Sequence, residues 1–175
     1  TRCITPYLFT NKNALRISLG LSEPFLIINE NLKFHEGDPS GCEALLQAIS
    51  DEDAAAIANE IDIPNFIDYI IYQDYIGNSD WANNIKAYNV SHGKFRFILY
   101  DLDYAANASP IAFIPKLEFL SADIAKIYRA LQENENFNEQ LESRKKELYN
   151  RFSIQKFNKI VDECALEIEN DIPFL

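Results

Sequence analysis

Residues 63–105 change their hydrophobic period once, at a glycine, and that change limits what the chain can fold into. Before Gly77, the residues Phe66, Tyr69, Ile70 and Gln73 recur at helical spacing, with Ile67, Ile71 and Tyr75 close by. An apolar face this broad predicts a central, largely buried helix over residues 64–76. Asp62 is placed to cap it, Pro64 is tolerated in its first turn, and Gly77 supplies the left-handed residue on which helices end. After Gly77 the period becomes two. Phe95, Phe97 and Leu99 alternate with Lys94, Arg96 and Ile98. The pattern predicts strands over 84–90 and 94–100, with a turn at Ser91, His92 and Gly93.

Helical signals dominate elsewhere. Ser40 with Glu43 forms a capping box ahead of a helix to Ile49, and Ser50 to Asp53 repeats the signal before residues 54–61. Residues 105–115, with Pro110 and Pro115, read as a loop. From Ser121 onward Ile124, Ile127, Tyr128 and Leu131 keep helical spacing, as do Phe137, Leu141, Leu148 and Phe152. A last helix over 154–168 sets Phe157, Ile160, Val161, Cys164 and Ile168 on one face. Residues 1–37 are mixed, with short strands expected over 14–19 and 25–28 and a turn at Gly37, Asp38 and Pro39. The fold class is α+β, mostly α.

Charge narrows the partners. The 175 residues carry 16 basic and 27 acidic side chains, a net charge of −11. That argues against a nucleic-acid backbone, which binds through clustered Lys and Arg, and suits metal ions or a basic protein. Most of the acidic excess reads simply as a hydrated surface. No apolar run approaches the roughly 20 residues of a membrane span. The three cysteines form no CxxC pair, so a zinc or redox motif is not expected. Cys42 and Cys164 read as buried thiols on amphipathic helices, with a disulfide left open. His35 and His92 have no second histidine at ligand spacing and read as structural or surface residues. Trp81, the sole tryptophan, reads as a packing residue or as a wall beside Asp80. The opening TRCITPYLF lacks a signal-peptide pattern, and the chain reads as processed, trimmed or a fragment.

The chemistry gathers around the hairpin. Asp80, Asn83, Asn84 and Asp101 flank it, and Asp103 lies just beyond. Carboxylates and amides are hard oxygen ligands suited to a divalent ion and a phosphate-bearing substrate. An Asp followed closely by an Asn is the kinase arrangement, although Asp and Asn also crowd turns for local reasons. Asp101 and Asp103, two apart, would share one side of an extended segment. Like charges so close call for a cation, or else for full hydration at a strand end.

These residues carry a resemblance. IPNFIDYIIYQDYIGNSDW, then NNIKAY, then GKFRFILYDLDYA, with SDEDAAAIANEIDIP before and ALQENENFNEQLESRKKELYNRFSIQKFNKIVDE after, resemble the C-terminal part of the CotH kinase family. That family is named for a spore-coat protein and has an atypical protein-kinase-like fold. The resemblance spans roughly residues 38–172. It implies ATP-dependent phosphorylation of protein Ser or Thr with Mg²⁺ or Mn²⁺, with Asp80 as the catalytic residue. Asn84, with Asn83 as alternate, matches the metal-ligating Asn, and Asp101 with Asp103 matches the metal-binding Asp-x-Asp. Asn83, Asn84 and Asp101 are thereby also the nucleotide-site residues. Tyr100 stands where the family has Trp, and the spacing from Asp80 to Asn is one residue tighter than in many relatives.

The resemblance also implies a division into residues 38–175, a kinase-like helical C-lobe, and residues 1–37, a remnant of the N-terminal lobe or an extension. Neither Lys12 nor Lys33 is assigned as the nucleotide-binding lysine. Family members are often extracytoplasmic, and the sequence itself does not fix a compartment. The rival expectation is a non-catalytic relative serving as an interaction or surface-attachment module. A third is plain Ca²⁺ binding by the acidic cluster.

Overall fold

The computed structural model describes residues 25–29, 33–36, 40–78, 84–90, 93–102, 104–105, 113–151 and 153–169. In chain order these form β1 (Phe25–Asn29), β2 (Lys33–Glu36), α1 (Ser40–Ser50), α2 (Ala54–Glu60) and α3 (Ile63–Tyr75). There follow β3 (Lys86–Val90), β4 (Arg96–Ile98), α4 (Phe113–Leu117), α5 (Asp123–Gln132), α6 (Glu135–Arg151) and α7 (Ile154–Glu169). The described residues are mostly helical, with one small sheet. The strand expected over 14–19 lies outside the described residues.

Helix α3 is the axis of the structure. Asp62 accepts from the Asn65 amide and Pro64 occupies the first turn. Phe66, Ile67, Tyr69, Ile70, Ile71 and Gln73 are buried, so helix and burial follow the expected face. Its ring partners come from both sides. Phe66 lies 5.0 Å from Phe97 of β4 and 6.5 Å from Phe137 of α6. On the helical side, Arg144 of α6 makes a two-pronged contact with Asp68, at 2.7 and 3.0 Å. The pair is about one-third exposed, so it contributes at most about 1 kcal/mol and serves mainly to set register. Helix α2 is capped by Asp53, which accepts from the Ala55 and Ala56 amides. Ser50 instead closes α1, so the repeated capping signal reduces to one residue.

The four strands are antiparallel in the order β2-β1-β3-β4. The expected hairpin is therefore half of a sheet, and residues before Gly37 supply the other half. Ile27 faces Tyr88 across β1 and β3, and Ala87 faces Phe97 across β3 and β4. The alternation holds, with Phe95 and Phe97 buried and Lys94 and Arg96 exposed. The pairing is shorter than expected, since β4 has three residues. Phe95 leaves the ladder to bond elsewhere: its amide donates to the Glu60 carbonyl at 2.7 Å, and its carbonyl accepts from the Asp62 amide at 2.9 Å.

Two other expectations need correction. The region read as a loop over 105–115 already turns helical at Phe113, because Pro115 falls in a first turn, where its missing N–H is no loss. The last helix forms where expected, yet none of its residues is buried. Its start packs on α3, with Phe157 6.2 Å from Tyr75. Cys164 is not a buried thiol: it is half-buried and disulfide-bonded, whereas Cys42 is buried as expected.

Asn65 gives the first test. Its side chain accepts from the Phe97 amide at 2.6 Å and donates to the Phe97 carbonyl at 3.3 Å. Asn65→Leu strands both backbone groups and is expected to cost about 1–3 kcal/mol in urea unfolding, with Asn65→Asp costing less because the shorter bond survives.

Candidate functional site

The hairpin and the end of α3 bring two stretches of chain to one place. With Lys86 opposite Ile98, the antiparallel register sends Asn84 and Asp101 out of the same end of the β3–β4 hairpin. Tyr100 stays beside β3, its ring 3.5 Å from the Lys86 Nζ, a cation–π contact of about 0.5–1 kcal/mol. Asn84 and Asp101 are both half-buried. Asp80, Asn83 and Asp103 lie outside the described residues, as do Trp81 and His92. Among the described residues no group of three His, Cys, Asp or Glu side chains forms a metal site.

The end of α3 supplies the second approach. Gly77 has φ 60, the left-handed geometry expected of it. Asn78, buried, donates from Nδ2 to the Gln73 Oε1 at 2.9 Å, and its amide donates to the Gln73 carbonyl at 3.3 Å. This pair fixes the chain two residues before Asp80. From the sequence Gln73 reads only as part of the buried face, and the signal for its second role is an amide side chain one turn ahead of a Gly-Asn helix end.

Beside this end lies a cavity of about 720 Å³. Asp74, Tyr75 and Ile76 form one wall, Leu102 and Ala105 a second, and Tyr149, Ile154 and Phe157 a third. Leu102 directly follows Asp101, so the segment after β4 and the end of α3 border one space. Asp74 holds the walls together. It accepts from the Ile114 amide at 3.1 Å and from the Tyr149 hydroxyl at 2.8 Å. Sequence reasoning missed it because those partners lie 40 and 75 residues away. Burial, then the hydrogen bond to Asp74, pushes the Tyr149 phenol well above the ordinary tyrosine range. Burial, with Glu118, Glu142 and Asp74 adding, pushes Tyr128 up to about 12.

Asp101 departs from the extended geometry assumed for the Asp101–Asp103 pair. Its φ is 51, so period-two placement of the two carboxylates does not apply. Non-glycine residues enter this region at a cost, Asp and Asn least so, and such outliers gather at functional positions.

The CotH kinase protein family matches residues 36–173, most of the chain. The chain belongs to the CotH kinase family. No curated protein and no solved structure gives a significant match. Membership points to a kinase-like protein, and the matched span runs from the end of β2 through the whole of α7.

Two measurements test this geometry. Asp101→Gly and Asp101→Ala both remove the carboxylate, but only glycine relaxes at positive φ. The glycine variant is expected to be more stable by roughly 1 kcal/mol, and equal stabilities would remove the strain argument. Alkaline unfolding tests the tyrosines. The folded protein holds the Tyr128 and Tyr149 protons more tightly than the unfolded chain does. Their contribution is therefore full below about pH 10, the unfolded value, and is lost as pH rises through about 12 for Tyr128. Urea midpoints are expected to fall from pH 10 upward, less steeply in Tyr149→Phe.

Proposed function

We propose that this CotH-family chain carries the C-lobe of an ATP-dependent protein kinase that phosphorylates Ser or Thr with a divalent metal. The observation that supports this most is topological. Asn84 and Asp101 leave one end of the hairpin, and the chain after Asp101 borders the same cavity as the end of α3, just ahead of Asp80. In this reading Asp80 orients the acceptor hydroxyl and takes its proton. Asn84, with Asn83 as alternate, and Asp101 with Asp103 offer amide and carboxylate oxygens, the donor set that Mg²⁺ or Mn²⁺ prefers. A bound ion neutralises charge on the nucleotide phosphates. The contribution of the protein is positioning: a helix end pinned by Gln73 and Asn78, and a strand pinned by Asn65, hold the two approaches still.

Nucleotide-dependent stabilisation is the direct test. ATP with Mg²⁺ at about 100 times its dissociation constant is expected to add about 2.7 kcal/mol of stability, with a smaller effect from ATP alone. Stabilisation by Ca²⁺ without nucleotide would favour the plain ion-binding expectation. No response to millimolar ATP would favour a non-catalytic attachment module. In protein that transfers phosphate, Asp80→Ala is expected to lower the rate by roughly 10²–10⁴ while leaving the unfolding midpoint unchanged. Wild-type turnover in purified Asp101→Ala would remove that residue from the site.

A further inference from the structure

Lys86 brings a positive charge to the end of the hairpin from which Asn84 and Asp101 leave. It stands on β3 directly opposite Ile98 of β4, so the two side chains share one face of the sheet, and Tyr100, two residues after Ile98, belongs to the same face. The Lys86 Nζ lies 3.5 Å from the centre of the Tyr100 ring. Tyr100 immediately precedes Asp101, and Lys86 comes two residues after Asn84. All four residues are half-buried. The way this charge is held separates Lys86 from its neighbours. Lys94 donates to the Ala58 carbonyl at 2.7 Å, and Arg96 pairs with Asp62 at 3.3 Å. On the far side of α3, Arg144 is occupied by Asp68 and Glu147. Among the described residues the Lys86 ammonium makes no ion pair, and its partner is the ring.

We propose that Lys86 grips the phosphate chain of the nucleotide, as a binding residue of the candidate site alongside Asn84 and Asp101. The inference rests on the phosphotransfer reading and adds a cation to its oxygen donors. An aromatic face attracts an ammonium through its quadrupole but carries no net charge. The Tyr100 ring therefore fixes the position of the Lys86 charge without neutralising it. A full positive charge kept beside donors suited to a divalent ion matches a polyphosphate, whose oxygens serve metal and ammonium alike. The ammonium has three N–H donors, and the ring engages one side of it. The others can donate to phosphate oxygens with the ring contact intact. In a chain of net charge −11, a cation at this place also offsets the local repulsion that an incoming polyanion meets.

Calorimetric titration of the full 175-residue chain tests this, with MgATP, magnesium tripolyphosphate and adenosine as probes. Lys86→Met is expected to bind MgATP and tripolyphosphate roughly tenfold more weakly than the wild type, with adenosine unchanged. Lys86→Gln serves as a second neutral variant, and urea midpoints near that of the wild type verify folding. Lys86→Arg keeps the charge and is expected to stay within about threefold for all three probes. Tyr100→Leu keeps the ammonium but removes its rest, and is expected to weaken MgATP binding by about two- to fivefold. Equal MgATP affinity in folded Lys86→Met and wild type overturns the role of Lys86 and leaves the phosphotransfer reading standing. A matching loss for adenosine shows that Lys86 shapes the site without holding phosphate, and overturns it as well. A wild type that binds neither MgATP nor tripolyphosphate removes the phosphotransfer reading, and this inference with it.

Discussion

Sheet and helices meet at Phe97. Its amide and carbonyl both bond to the Asn65 side chain, and its ring packs 5.0 Å from Phe66 and 5.5 Å from Tyr69. Two residues earlier, Phe95 is held by Glu60 and Asp62, the residues that join α2 to α3. Strand β4 is thus fastened along one side by helix α3 and its approach, and along the other by β3. Aromatic pairs such as these are each worth about 0.5–1.5 kcal/mol beyond their burial. More important is the stiffness they confer. Asp101, three residues past the end of β4, leaves a strand that is held on both sides, and α3 ends where Gln73 holds Asn78.

Short-range signals carried far, and long-range ones did not. The face of α3, its Asp62 cap and its Gly77 end are set by residues within a few positions of one another, and all three were legible. The alternation of Phe95 and Phe97 was equally plain. Where β4 stops pairing was not, because its partners come from a helix side chain 32 residues back. Phe25–Asn29 reads as a strand in isolation, but nothing local places it beside β3, some sixty residues later. Pro115 misled in the usual way: the residue that breaks helix interiors is at home in a first turn.

The candidate site shows the same limit. Family resemblance and spacing pointed to Asp80, Asn83, Asn84, Asp101 and Asp103, and the register of β3 with β4 accounts for Asn84 and Asp101 leaving together. The left-handed backbone at Asp101 could not be read, since Asp tolerates that region without any marker in its neighbours. Asp74 was invisible for a different reason: its importance comes from the Ile114 amide and the Tyr149 hydroxyl, which only the folded chain brings to it. Cys164 read as buried because the apolar row of the last helix is as regular as that of α5. Regularity reports that a face is apolar, not what lies against it.

The fastening of β4 has a consequence for assembly. Its outer backbone groups at Phe95 and Phe97 are already bonded to Glu60, Asp62 and Asn65, so no foreign strand can add there. Among the described residues the opposite margin is β2, whose sequence KFHE puts three polar residues in four. Charged margins of this sort discourage edge-to-edge association. Among the described residues, strand addition would have to begin at β2, with Lys33 and Glu36 at its two ends.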